Sequence, residues 1–168
     1  MHDSATTAKA RLASHLAGVT PFEMSAISDR AGVPRKLGAR ARLGRSIDTT
    51  NYLLLCIATG LDADTGAHVR EVSRAGWSIC WWTLAGALFL ARHRFRFDLR
   101  TAGPAIGVSA ATLSRAECGD AVAIESFLRI VRFIGLPPQS FLCFTENTHC
   151  NTLPLHDFPD GAATGWVE

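Results

Sequence analysis

The chain has 168 residues, 48% of them hydrophobic and 19% charged, with a formal net charge of +2. That is enough apolar material for a packed core in one medium domain or two small ones, and it excludes wholesale disorder. The near-neutral balance also excludes a protein that holds nucleic acid by bulk charge alone.

The opening residues, MHDSATTAKARL, are polar and lead into no long apolar run, so no signal peptide is expected. Apolar spacing predicts helices near 8–17, 23–31, 35–42 and 48–59. Asp48 can cap the fourth, with Tyr52, Leu55, Cys56 and Ile57 on its buried side. Residues 66–81, GAHVREVSRAGWSICW, read as a connector, and Trp77, Trp81 and Trp82 as rings that cement its flanks together. WSICWWTLAGALFLA (77–91) runs straight into Arg92, His93 and Arg94. It is too short for a membrane span, which needs about twenty apolar residues. A buried helix over 82–93 is expected instead, with Leu84, Leu88 and Ala91 inward. Asp98 can cap a helix near 99–105, which Pro104 is expected to kink or shorten. Gly107 supplies a turn, Ser109 caps a helix over 110–117 and Gly119 ends it. Ile124, Phe127, Leu128, Val131 and Ile134 give a further helix with a wide apolar face, stopped by Gly135. Pro137 or Pro138 can open a fifth short helix carrying Phe141 and Leu142. No segment is rich in strand signals, although FLCF (141–144) could pair briefly.

An internal repeat organises these elements. A shift of 75 positions lays Gly32-Val33 on Gly107-Val108, Gly44 on Gly119, and Gly60-Leu61 on Gly135-Leu136. Phe22 falls on Phe97, Glu23 on Asp98, Arg40 on Arg115, Tyr52 on Phe127 and Leu53 on Leu128, without a gap. Such a period changes the expected fold to two copies of one unit. The expected organisation is a first unit over 1–65, a connector over 66–81, a second unit over 82–145 and a tail over 146–168.

Two short helices joined by a glycine turn, with Ser or Pro opening the second, describe a helix-turn-helix. In the second unit IGVSAATLSRAECG, followed by IESFLRIVRFIGL, resembles the phage-repressor class, the lambda Cro/cI or XRE-like type. Gly107, Val108, Ser109, Leu113, Glu117 and Gly119 carry the likeness, which covers about 82–145. The upstream ISDRAGVPRKLGARARLG keeps Ile27, Ala31, Gly32, Val33 and Gly44, with Pro34 in place of the serine cap. Gly38 stands where the second unit has Leu113, which weakens the helix and removes a core contact that Leu37 or Leu43 must replace. Both copies depart from the class where it often carries Gln: Met24 and Leu99 stand there, and Gly103 replaces its usual Ala. The resemblance implies an all-α fold, two tandem four- to five-helix helix-turn-helix domains packed together. It implies a sequence-specific double-stranded DNA-binding transcriptional regulator, expected to be a repressor. The alternative is a protein-binding adaptor, anti-activator or antitoxin with weak or no DNA binding, because fold alone does not fix function.

A helix-turn-helix lays its second helix in the major groove. The outward positions of that helix are Ala110, Ala111, Ser114 and Arg115 in the second unit and Arg35, Lys36, Ala39 and Arg40 in the first. An arginine can fork onto guanine, and alanines can meet thymine methyls. Ser109, Thr112, Arg42 and Arg45 are candidates for phosphate. PRKLGARARLGR (34–45) carries only positive charges and is the strongest basic cluster in the chain. The two copies are therefore unequal, the first richer in charge and the second closer to the motif.

No catalytic residue, cofactor or metal site is expected. His149, Cys150, His156 and Asp157 lack the close pairing of a structural zinc site, and no glycine-rich phosphate loop occurs. The odd count of five cysteines, Cys56, Cys80, Cys118, Cys143 and Cys150, with no CxxC, predicts free thiols in a reducing compartment and a cytoplasmic protein. Expected partners are double-stranded DNA, with a homodimer and a protein partner as further candidates, and no membrane. The end, 151–168, holds three acidic residues and no Lys or Arg, and reads as a docking arm or a loose terminus.

Overall fold

A computed structural model describes residues 7–67 and 76–144. The first segment holds α1 (Ala8–His15), α2 (Pro21–Ala31), α3 (Arg35–Arg42) and α4 (Thr49–Ala58). The second holds β1 (Trp77–Ile79), α5 (Trp81–Arg94), α6 (Leu99–Ile106), α7 (Ala110–Glu117) and α8 (Ile124–Ile134). A 3-10 turn, Pro138–Phe141, and β2 (Leu142–Phe144) follow. The fold is all-α, a bundle of eight helices with one antiparallel two-stranded ribbon among the described residues.

Local chemistry sets the helix ends. The Asp48, Asp98 and Ser109 side chains accept from the backbone N–H three residues on, so each caps the helix expected of it. The Thr20 hydroxyl accepts from Glu23 N and the Glu23 carboxylate accepts from Thr20 N, while Pro21 opens the helix with a preset φ. That capping box starts α2 two residues earlier than apolar spacing suggests. Gly32, Gly44 and Gly60 take φ of 67–68°, and their counterparts Gly107, Gly119 and Gly135 take 78–81°. All six lie in the left-handed region where a side chain is disfavoured. The 75-residue period thus recurs in backbone conformation: α3 and α7 begin and end 75 positions apart. α6 runs through Pro104 to Ile106. The bond given up there is the one to the carbonyl of Arg100, an exposed residue whose carbonyl can turn to water.

Three exposed carboxylates gain their hydrogen bonds only on folding. The backbone N–H of Thr20, then its hydroxyl, holds Glu23 below the usual carboxylate range. The Thr101 hydroxyl does the same for Asp98, and the Arg35 guanidinium for Asp29. Each is more acidic folded than unfolded, so falling pH protonates the unfolded chain first and favours it. Their contribution is therefore complete above the unfolded values near pH 4 and is lost as pH falls through the lower folded ones. Urea midpoints taken between pH 7 and pH 3 should fall in that window, and Glu23→Gln with Asp98→Asn should flatten the fall.

One continuous core joins both groups of helices. α8 contributes Ile124, Phe127, Leu128, Ile130, Val131 and Ile134, all buried, and α4 contributes Tyr52, Leu53, Leu55 and Cys56, with Ile57 only half-buried. Side chains of this size stabilise by roughly 1.5–3 kcal/mol each when fully buried. Burial above all, with the Asp62 charge adding to it, pushes the Cys56 thiol up to about 12, so it is an inert core residue. α4 packs on α8. Thr49 Oγ1 donates to Val122 O at 2.7 Å, and Ala8 N donates to Glu125 Oε1 at 2.7 Å. Arg132 reaches Asp64 at 2.6 Å across the same seam, an exposed pair worth little by itself.

Several expectations at the C-terminal end are corrected. Only Pro138–Phe141 coils; Leu142–Phe144 pairs with Trp77–Ile79, placing Trp77 opposite Phe144 and Ile79 opposite Leu142. Phe141 is fully buried, and its carbonyl accepts from Cys80 N at 2.7 Å, which sets the register. Trp77 stacks edge-on to Phe144 and Trp81 edge-on to Phe127, but Trp82 is 71% exposed. Cys80 is disulfide-bonded, so the expectation of free thiols throughout fails there. Cys56 and Cys118 are free. Among the described residues no helix is long and apolar enough to cross a membrane.

Candidate nucleic-acid interface

Each glycine turn launches a short helix whose inner face is packed and whose outer face is open. In α7, Leu113 and Ala116 are fully buried, while Ala110, Ala111, Ser114 and Arg115 are exposed. In α3, Gly38 and Ala41 are buried, while Arg35, Lys36, Ala39 and Arg40 are exposed. Arg40 and Arg115 occupy the same place on their helices. Both carbonyls accept the same backbone bond from five residues on, from Arg45 N at 2.9 Å and Asp120 N at 3.0 Å.

The outward cations differ in what holds them. Arg35 forks onto Asp29, Nε to Oδ1 at 3.0 Å and a terminal nitrogen to Oδ2 at 2.6 Å. Both side chains are more than half exposed, so the pair adds little stability and can open for a better anion. Arg40 donates to Ser46 O at 2.8 Å. Arg42 is half-buried and donates to Val19 O at 3.1 Å, tying α3 to the loop between α1 and α2 and not standing ready for phosphate. The side chains of Lys36, Arg45 and Arg115 form no hydrogen bond or ion pair among the described residues. Two of the α3 cations, Arg35 and Lys36, sit at the helix N-terminus, where the helix dipole opposes positive charge. Helix stability therefore does not account for them.

Ser109 is engaged as the α7 cap, accepting from Thr112 N at 3.1 Å with the two hydroxyls 2.9 Å apart. Thr112 is half-buried. Met24 and Leu99, at the positions where Gln was absent, are packed: Met24 is buried and Leu99 lies against the core. Met24 also answers the Gly38 question. Its Cε and the Ser28 hydroxyl fill the space beside Gly38, while Leu43 is 62% exposed and replaces nothing.

Two structural residues escaped the sequence reading. Arg92 Nε and a terminal nitrogen meet the Glu117 carboxylate at 2.7 and 3.1 Å, and the other terminal nitrogen donates to Phe97 O at 2.7 Å. This ion pair ties α5 to the end of α7. Its signal was available: Arg92 lies four residues after Leu88, on the inward stripe of α5, where a charge requires a partner. Arg129, on α8, donates to Gly107 O in the turn before α7.

Among the described residues no group of three His, Cys, Asp or Glu could hold a metal. His149, Cys150, His156 and Asp157 lie outside those residues, as does the tail from 145 onward. No known family model matches the chain, and no curated protein and no solved structure does either.

Proposed function

We propose that the chain is a sequence-selective double-stranded DNA-binding regulator, a repressor acting by occupancy, built as two tandem helix-turn-helix domains with α3 and α7 as groove helices. One observation carries the reading: at a fixed 75-residue interval, two short helices leave left-handed glycine turns with the same outer positions exposed, one of them lined with cations. Fixed dipoles and cations on α3 supply phosphate affinity, and the side chains on α7 are short enough to let the helix approach base edges.

A second reading, a protein-binding adaptor, draws on a different observation. Trp82, Phe89 and Leu90 are exposed on α5, where the matching α1 positions hold Thr7, Ser14 and His15.

Salt titration separates the two. The purified protein should bind fragments of its own promoter region more tightly than random DNA of equal length. Each phosphate neutralised should add about 0.9 to the slope of log affinity against log salt. Changing Arg35, Lys36 and Arg40 together to alanine should weaken binding at least about tenfold and flatten that slope by about two to three. Equal affinity for promoter and random DNA would sink the regulator and leave the adaptor.

A further inference from the structure

The two groups of helices meet like face on like. α4 packs on α8, which is its own counterpart in the 75-residue period. A cavity of about 270 Å³ lies on the seam, lined by 46–50 from one side and 121–124 from the other. These are again counterparts: Ile47 matches Val122 and Thr49 matches Ile124, and all four are buried. The first turns of α1 and α5, also counterparts, reach the same cavity through Lys9 and Trp81. Units related by translation press unlike faces together. Units related by a half-turn press the same face of each on the other. The α4–α8 contact and the cavity lining are of the second kind, which points to α3 and α7 being disposed about a local two-fold inside one chain.

Resting on the DNA-binding reading above, we infer that one chain is a complete two-headed reader. As a monomer it binds an inverted repeat whose two halves are unlike, with the sequence demand concentrated under α7. The inequality follows from the outward side chains. α7 presents Ala110, Ala111 and Ser114 around a single cation, Arg115, that has no partner among the described residues. Small neighbours admit the helix backbone to the groove floor, and an uncommitted guanidinium can fork onto guanine O6 and N7. α3 presents cations that are already spoken for, Arg35 by Asp29 and Arg40 by Ser46 O, beside the long chains of Lys36 and Arg45. Such a face neutralises phosphate and discriminates bases weakly.

Selection of the full chain against a random duplex pool tests this, with native mass spectrometry of the best complex. The expected result is an inverted repeat, half-sites about 10–10.5 base pairs apart, one arm sharply specified and the other loose, with one chain per duplex. Arg115→Ala should lose about tenfold or more of the discrimination in the specified arm. Arg40→Ala should lower affinity for all sequences alike. A direct repeat, two equally specified arms, or two chains on one repeat would overturn the inference while leaving DNA binding intact. No enrichment, with affinity no better than random DNA, would overturn the DNA-binding reading and this inference together.

Discussion

Replacing Arg92 by alanine should destabilise the protein by about 3–5 kcal/mol, a large part of the whole stability of a domain this size. The Arg92 and Glu117 side chains are only 11% and 13% exposed. Arg92 fills both carboxylate oxygens, donates to Phe97 O and lies 5.7 Å from the Phe89 ring centre. The Glu117 hydrogen bonds hold the guanidinium charged, raising its pKa further. Truncation strands a carboxylate that water cannot reach well, and that stranded charge costs more than the lost attraction. Glu117→Ala should cost a comparable amount, and the double variant Arg92→Met, Glu117→Leu should recover most of it because no lone charge remains. Urea unfolding at constant slope measures all three. A loss under about 1 kcal/mol for Arg92→Ala would mean that the pair is effectively solvated.

That pair also shows where sequence reading stops. Ser109, Asp48, Asp98 and the glycine turns were legible because caps and left-handed turns are made by residues within a few positions of each other. The outer faces of α3 and α7 were legible for the same reason, since helical spacing fixes which side chains share a side. What each outer cation touches was not. Arg40 is bound to Ser46 O and Arg42 to Val19 O because of how the loops return to the helices, which no local pattern encodes. The ribbon joins segments 65 residues apart; FLCF (141–144) offers a brief pairing in sequence, but three-residue strands carry too little alternation to point to Trp77–Ile79 as its partner. The aromatic rings misled for a different reason. Hydrophobicity alone puts Trp82 with the connector, but its ring lies over Gly119, just past the end of α7.

The sharpest packing test concerns the crossing of each turn's two helices, where the copies exchange small and larger residues. The first has Ser28 and Gly38; the second has Gly103 and Leu113 at the same places. A methyl group at Gly38 would come 2.1 Å from Ser28 Oγ, closer than atoms can approach, and 3.1 Å from Met24 Cε. Ser28 is fully buried and its hydroxyl has no hydrogen-bond partner. Gly38→Ala should therefore cost about 1–3 kcal/mol from overpacking, against which its better helix propensity returns only about 1 kcal/mol. Ser28→Ala alone should be neutral or stabilising, because it deletes a buried hydroxyl that gains nothing. In that background the sign of Gly38→Ala should reverse, since the neighbours left are Met24 Cε at 3.1 Å, the free end of a flexible side chain that can give way, and the Cβ at 28, which stands 3.4 Å away. Gly103→Ala should admit no such rescue. Its methyl would meet Val108 O at 2.9 Å and Ala110 N at 3.3 Å, both main chain of the turn that presents α7. α6 must then back away from α7, at about 1–3 kcal/mol and with α7 displaced. The three single variants and the Ser28→Ala, Gly38→Ala double, compared by thermal and urea unfolding, give the answer. Additive effects at 28 and 38 would show that the two helices are not in the contact described.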